Sequence, residues 1–122
     1  MFANVYSLSV AMFFIVAGAT KLIRSKQTLV ATSGGAWASD FSPSAIKSIG
    51  ALEVLAAVAL AAAALIDQPQ IALIACSALA IVMIGAVSTH LRRAEYKQSA
   101  FAAAVGIAVI AGIVLRLASF GK

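Results

Sequence analysis

Residues 48–66 read Ser-Ile-Gly-Ala-Leu-Glu-Val-Leu-Ala-Ala-Val-Ala-Leu-Ala-Ala-Ala-Ala-Leu-Ile, an apolar run broken only by Glu53. As a helix the run is long enough to cross a bilayer, since about 20 residues rising 1.5 Å each span roughly 30 Å of hydrocarbon. A carboxylate near the middle of such a span costs roughly 2.5–3.5 kcal/mol on insertion scales. Nothing in the run compensates, so Glu53 requires a partner, a proton or a hydrated pocket. Three further apolar runs lie along the chain, and the four spans are expected at residues 2–23, 45–66, 71–91 and 99–120. The composition agrees: 63% of residues are hydrophobic, 11% are charged and the mean hydropathy is +1.05, too little polar surface for a soluble domain of 122 residues. Four spans and three connections use the whole of residues 1–122, so one transmembrane domain is expected.

The charges give an orientation. Lys21, Arg24, Lys26 and Lys47 flank the first connection, and Arg92, Arg93 and Lys97 lie in the third. Arg116 and Lys122 are the other two of the nine cations, and the second connection, Asp67-Gln68-Pro69-Gln70, has none. This bias predicts the first and third connections in the cytoplasm and both termini on the non-cytoplasmic side. The net charge of +5 is therefore topological and addressed to lipid headgroups, with no nucleic-acid partner expected. The first cation, Lys21, follows the first apolar run, so that run lacks the positive n-region of a cleaved signal and is expected to stay as a helix.

The first connection, residues 24–44, is the longest. Gly34-Gly35 permits a sharp turn. Ser42 is placed to cap a helix with Pro43 at its first position, and Trp37 and Phe41 are natural interface anchors. A connection of this length in so small a protein reads as a lid or an interfacial segment. The Pro69 turn makes the second and third spans antiparallel neighbours. The expected fold is an all-α, antiparallel four-helix transmembrane bundle. Ala104, Ala108 and Gly112 form a small-residue stripe on the last span, suited to close packing in the bundle or to a homodimer seam.

Gly50, Ala57 and Ala61 share a helical face with Glu53, which turns the carboxylate into the bundle. Lys21 follows Ala17 and Gly18 in the same way. Lys21, Glu53 and His90 lie within about 10 Å of the same membrane face, on three different helices. A buried charge must be paired, so a Lys21–Glu53 pair with His90 nearby is expected, below Arg92 and the Trp37–Asp40 stretch. Imidazoles exchange protons near neutrality, so the three side chains suit head-group binding, proton relay or general acid–base chemistry. The competing reading is a salt bridge that only fixes helix packing. No His, Cys, Asp and Glu residues have metal-ligand spacing, no nucleotide fingerprint is present, and the lone Cys76 rules out an internal dithiol couple.

Two resemblances follow. Ile49-Gly50-Ala51-Leu52-Glu53-Val54 resembles the glutamate segment of small multidrug exporters, in which, however, the glutamate is on the first helix and the loops are short. The whole chain resembles the DoxX-like family of small bacterial four-helix membrane proteins. The resemblance rests on Ala17-Gly18-Ala19-Thr20-Lys21-Leu22, on Gly35-Ala36-Trp37-Ala38-Ser39-Asp40-Phe41-Ser42, on Ile46-Lys47-Ser48-Ile49-Gly50-Ala51-Leu52-Glu53-Val54, and on Met83 through Arg93 with Glu95. It implies a bacterial inner-membrane location and makes Lys21, Glu53 and His90 the family's signature polar positions. Its members are linked to quinone-reducing thiosulfate oxidation and to membrane redox complexes.

Together these readings predict a cytoplasm-facing polar pocket built from Lys21, Glu53 and His90, with Trp37, Asp40 and Arg92 as further ligand contacts. Its expected ligand is a quinone-like or other lipophilic molecule with a polar head, and the expected partner is a redox enzyme. Three alternatives remain open: a membrane enzyme using acid–base chemistry on Glu53, His90 and Lys21, a proton-coupled transporter, and a non-catalytic assembly factor.

Overall fold

Ser42 and Pro43 open the helix that carries Glu53. In the computed structural model, which describes residues 2–32 and 35–119, the Ser42 hydroxyl accepts from the Ala45 amide at 3.1 Å. Pro43 takes the first helical position, where its missing N–H is no loss. The span therefore starts at Pro43, ahead of the expected residue 45. Pro69 likewise starts the next span ahead of residue 71, and the last span starts at Tyr96 instead of residue 99. Polar residues in a first turn can face water, so apolar runs understate helix length.

The elements in chain order are α1 (Phe2–Ile23), α2 (Lys26–Ala31), a 3-10 turn (Ala36–Asp40), α3 (Pro43–Leu65), α4 (Pro69–Arg92) and α5 (Tyr96–Ser119), with no strand among the described residues. Four of these helices, α1, α3, α4 and α5, are long and apolar enough to cross a membrane. Gly34 of the expected Gly-Gly turn and Phe120 of the last expected span lie outside the described residues.

α1 packs on α3, α3 on α4, α4 on α5, and α5 returns to α1. Phe14, Ala57, Leu60, Ala72, Leu79 and Val109 fill the core with about 1% exposure or less. The outside is apolar as well: Ile23, Leu55, Leu65, Ile74 and Ile81 are largely exposed. Such a surface would aggregate in water and is the ordinary lipid face of a membrane bundle. On α5 the buried line runs through Ser99, Ala102, Val109, Gly112 and Arg116, whereas Ala104 of the expected small-residue stripe faces outward.

The long connection is folded. Ser25 caps α2 through the Thr28 amide. Leu29 then packs with Ala38 and Ile46 beneath Trp37 and Phe41, whose rings meet edge to face at 5.8 Å. A side chain at Gly35 would strike the Leu29 carbonyl, so the chain closes here only with glycine. Lys47, from the first turns of α3, donates to the carbonyls of Lys21, Leu22 and Arg24 at 3.0, 2.7 and 2.8 Å. It thereby satisfies the last turn of α1, where backbone carbonyls lack helical partners.

Candidate functional site

The site begins with two glycines. A Cβ built on Gly18 would lie 2.7 Å from the Gly50 carbonyl, and one on Gly50 would lie 2.8 Å from the Gly18 carbonyl and from the Lys21 Cβ. α1 and α3 thus cross backbone to backbone, a distance only glycine permits. One helical turn on from this crossing, Lys21 and Glu53 face each other.

The Lys21 Nζ stands 2.8 Å from Glu53 Oε1, with the lysine 17% and the glutamate 1% exposed. The ammonium lies at ion-pair distance but off the line of a good hydrogen bond. It also sits 5.6 Å from the centroid of the Trp37 ring, within cation–π range. Lys21 therefore joins the carboxylate to the folded first connection. The expected Lys21–Glu53 pair is present.

Both residues line a cavity of about 860 Å3 between α1, α3, α4 and α5, covered on one side by Trp37 and Phe41. Its walls are largely apolar: Phe13, Met83, Phe101 and Val105. His90, Arg92 and Lys97 lie at its polar end, with Thr89 and Gln98. Volume and lining have the character of small-molecule sites, which run from about 300 to 1,000 Å3 with apolar walls and a few polar groups. Phe13 and Phe101, from the first and last helices, approach to 6.2 Å between ring centroids at the edge of this space.

His90 does not bond Glu53. Its Nδ1 is 2.8 Å from Glu95 Oε1, across the end of α4. The left-handed Ala94 (φ 55°) makes this contact: the Glu95 amide turns back to the His90 carbonyl at 2.8 Å and brings the carboxylate to the ring. The hydrogen bond with His90, then that with Arg93, holds the Glu95 carboxyl below the usual glutamate range. An ionised carboxylate only accepts, so Nδ1 carries the proton and Nε2 is the ring nitrogen left for a ligand. Arg93 in turn reaches Glu95 Oε2 at 3.2 Å and Asp40 Oδ1 at 2.8 Å. Its hydrogen bond to Glu95 raises the guanidinium further above its already high range.

Of the six residues read from the sequence as ligand contacts, five line one cavity: Lys21, Trp37, Glu53, His90 and Arg92. Asp40 does not. It is on the outer side of the turn, tied to Arg93, and so locks the folded connection onto the end of α4. Sequence reasoning passed over Lys97, Gln98 and the aromatic pair Phe13 and Phe101. The packing of α5 against α4 and α1 brings these together at the site.

The opposite end of the bundle holds a second polar cluster. Arg116 is 4% exposed and donates to Asn4 Oδ1 and Ser7 Oγ, both at 2.9 Å. The Tyr6 hydroxyl donates to the Ala108 carbonyl nearby. The charge pattern of the sequence gives Arg116 no partner of this kind.

The sequence profile of the DoxX-like family matches residues 5–113, nearly the whole chain. The chain belongs to the DoxX-like family. With four apolar helices of spanning length, this DoxX-like protein is a multi-pass membrane protein. No curated protein and no solved structure matches it.

Proposed function

We propose that this DoxX-like protein binds a lipophilic molecule with a polar head, a quinone or a compound of similar build, in the cavity above the Lys21–Glu53 pair. The reading places the cavity on the cytoplasmic side of a bacterial inner membrane and makes the protein a subunit or partner of a redox system. One observation carries it: an apolar-walled cavity of ligand size ends on a buried, paired carboxylate. The walls take an apolar body, and Glu53, Lys21 and the Nε2 of His90 offer an acceptor, a donor and a ring nitrogen to its head.

The test is Glu53→Gln, which keeps shape and removes charge. Purified protein is analysed by mass spectrometry for co-purified lipophilic molecules. The expected result is a discrete molecule retained by the wild type and lost from a folded Glu53→Gln variant. Identical co-purified lipids in the two would overturn the reading. Co-purification with an oxidoreductase tests the redox partnership separately.

A second reading has its own support. The Lys21–Glu53 pair lies beside the Gly18–Gly50 crossing, so it also suits a purely architectural lock between α1 and α3. That reading expects Glu53→Gln to lower stability and to leave bound molecules unchanged.

A further inference from the structure

We infer that the cavity takes an amphiphile whose head is anionic, a phosphate or carboxylate seated against Arg92 and Lys97. This rests on the ligand-binding reading above and adds to it the sign of the head's charge.

The charge balance around the cavity is the ground. The chain has four Asp and Glu residues. Glu53 faces Lys21. Asp40 and Glu95 are both held by Arg93, and neither lines the cavity. Asp67 is in the turn between α3 and α4, at the other end of the bundle. None is left for Arg92 or Lys97. Arg92 reaches only the Thr89 hydroxyl, at a long 3.5 Å, and Lys97 forms no ion pair among the described residues. Exposed cations need no partner in water. These two are exposed as well, but both line a cavity whose far walls are apolar, so their charge faces any bound head. A neutral head would leave two cations beside it uncompensated, whereas an anionic head matches them and its tail fills the space along Phe13, Met83, Phe101 and Val105. Arg93, one residue from Arg92, shows the contrast, because its charge is satisfied within the fold.

The anion has two sources, the headgroup of a bilayer phospholipid or a free single-chain acid or phosphate. Trp37 is the chain's one tryptophan and lines the cavity, so its fluorescence reports occupancy. The full-length protein in phosphatidylcholine nanodiscs is titrated with a bromine-labelled fatty acid, with the methyl ester of the same chain, and with phosphatidylglycerol bearing brominated tails. The inference expects saturable quenching by the acid or by phosphatidylglycerol, weakened by added salt. Whichever of the two quenches names the source. The double variant Arg92→Gln/Lys97→Gln, whose side chains pair with no carboxylate, should fold as the wild type does by circular dichroism. It should weaken anion binding about tenfold, the scale two partly exposed charge-assisted contacts supply. Gly85→Leu is the cavity variant: a Cβ at this wall position meets nothing within 4 Å, and leucine is the better helix former. If ester and acid bind equally, Gly85→Leu weakens both and the double variant weakens neither, the inference is overturned and the ligand-binding reading stands. If no probe gives saturable quenching, the inference is overturned, and the ligand-binding reading is decided by the co-purification test above.

Discussion

Glu53 and Lys21 form one ion pair but do not bear its loss equally, and this gives a quantitative test of how the pair is built. Glu53 is 1% exposed and Lys21 17%. Lys21→Met removes the one cation that, among the described residues, pairs with the carboxylate and leaves a buried charge with no compensation, a change that costs about 3–5 kcal/mol in protein interiors. Glu53→Gln leaves a lysine whose long stem can carry its head to the rim of the cavity, next to Trp37. What it loses is a charge-assisted contact, worth about 1.5–3 kcal/mol and less when one partner reaches water. The lysine variant should therefore be the less stable of the two by about 1–3 kcal/mol. The double variant Lys21→Met/Glu53→Gln should recover part of the loss, because it leaves no charge behind. Unfolding by a denaturing detergent titrated into mild-detergent micelles, monitored by Trp37 fluorescence and helicity, measures all three. Equal losses from the two single variants, or a larger loss from Glu53→Gln, would show that the carboxylate is hydrated through the cavity and that the burial asymmetry carries no weight.

Three further outcomes are expected. Gly18→Ala should destabilise by about 1–3 kcal/mol, the usual cost of overpacking, since its Cβ would meet the Gly50 carbonyl and the Val54 side chain at 2.7 Å. An unchanged unfolding midpoint would mean that α1 and α3 do not cross this closely. Ala94→Gly should stabilise by about 1 kcal/mol, because φ of 55° disfavours alanine and suits glycine; a loss of stability would refute the left-handed turn. The hydrogen bond with His90 and then that with Arg93 lower the Glu95 pKa on folding. Its contribution to stability is therefore full above the ordinary glutamate value of about 4.3 and is lost as pH falls through the depressed folded value. Glu95→Gln should flatten that acid limb in thermal unfolding, and superimposable acid profiles would rule the linkage out.

Much of this was legible in the sequence, for a physical reason. In lipid, an ionised side chain stands out against an apolar background, and small residues mark the packed face of a helix. Those two rules were enough to pair Lys21 with Glu53 and to put both on one side of the bundle with His90. The rules failed where a residue's role depends on a long-range neighbour. Asp40 looked like a ligand contact because of its position in the connection, but Arg93, far away in sequence, claims it. His90 looked like a relay to Glu53, but a left-handed turn folds Glu95 back onto it. Lys47 read as a topological charge and is also the cap of α1. Arg116 gave no such signal, because an arginine in the last turn of a spanning helix can ordinarily reach water. Its burial came from Asn4 and Ser7 at the other end of the chain.

The meeting of Phe13 and Phe101 bears on speed as well as on shape. Both rings line the cavity and stay 40% and 61% exposed. At this edge α1 and α5 meet through two aromatic side chains. Exposed side chains change rotamer in picoseconds to nanoseconds, whereas packed helices move apart in microseconds to milliseconds. For a ligand of the kind proposed, entry along this edge would call first on rotation of these two rings, a faster motion than the parting of helices.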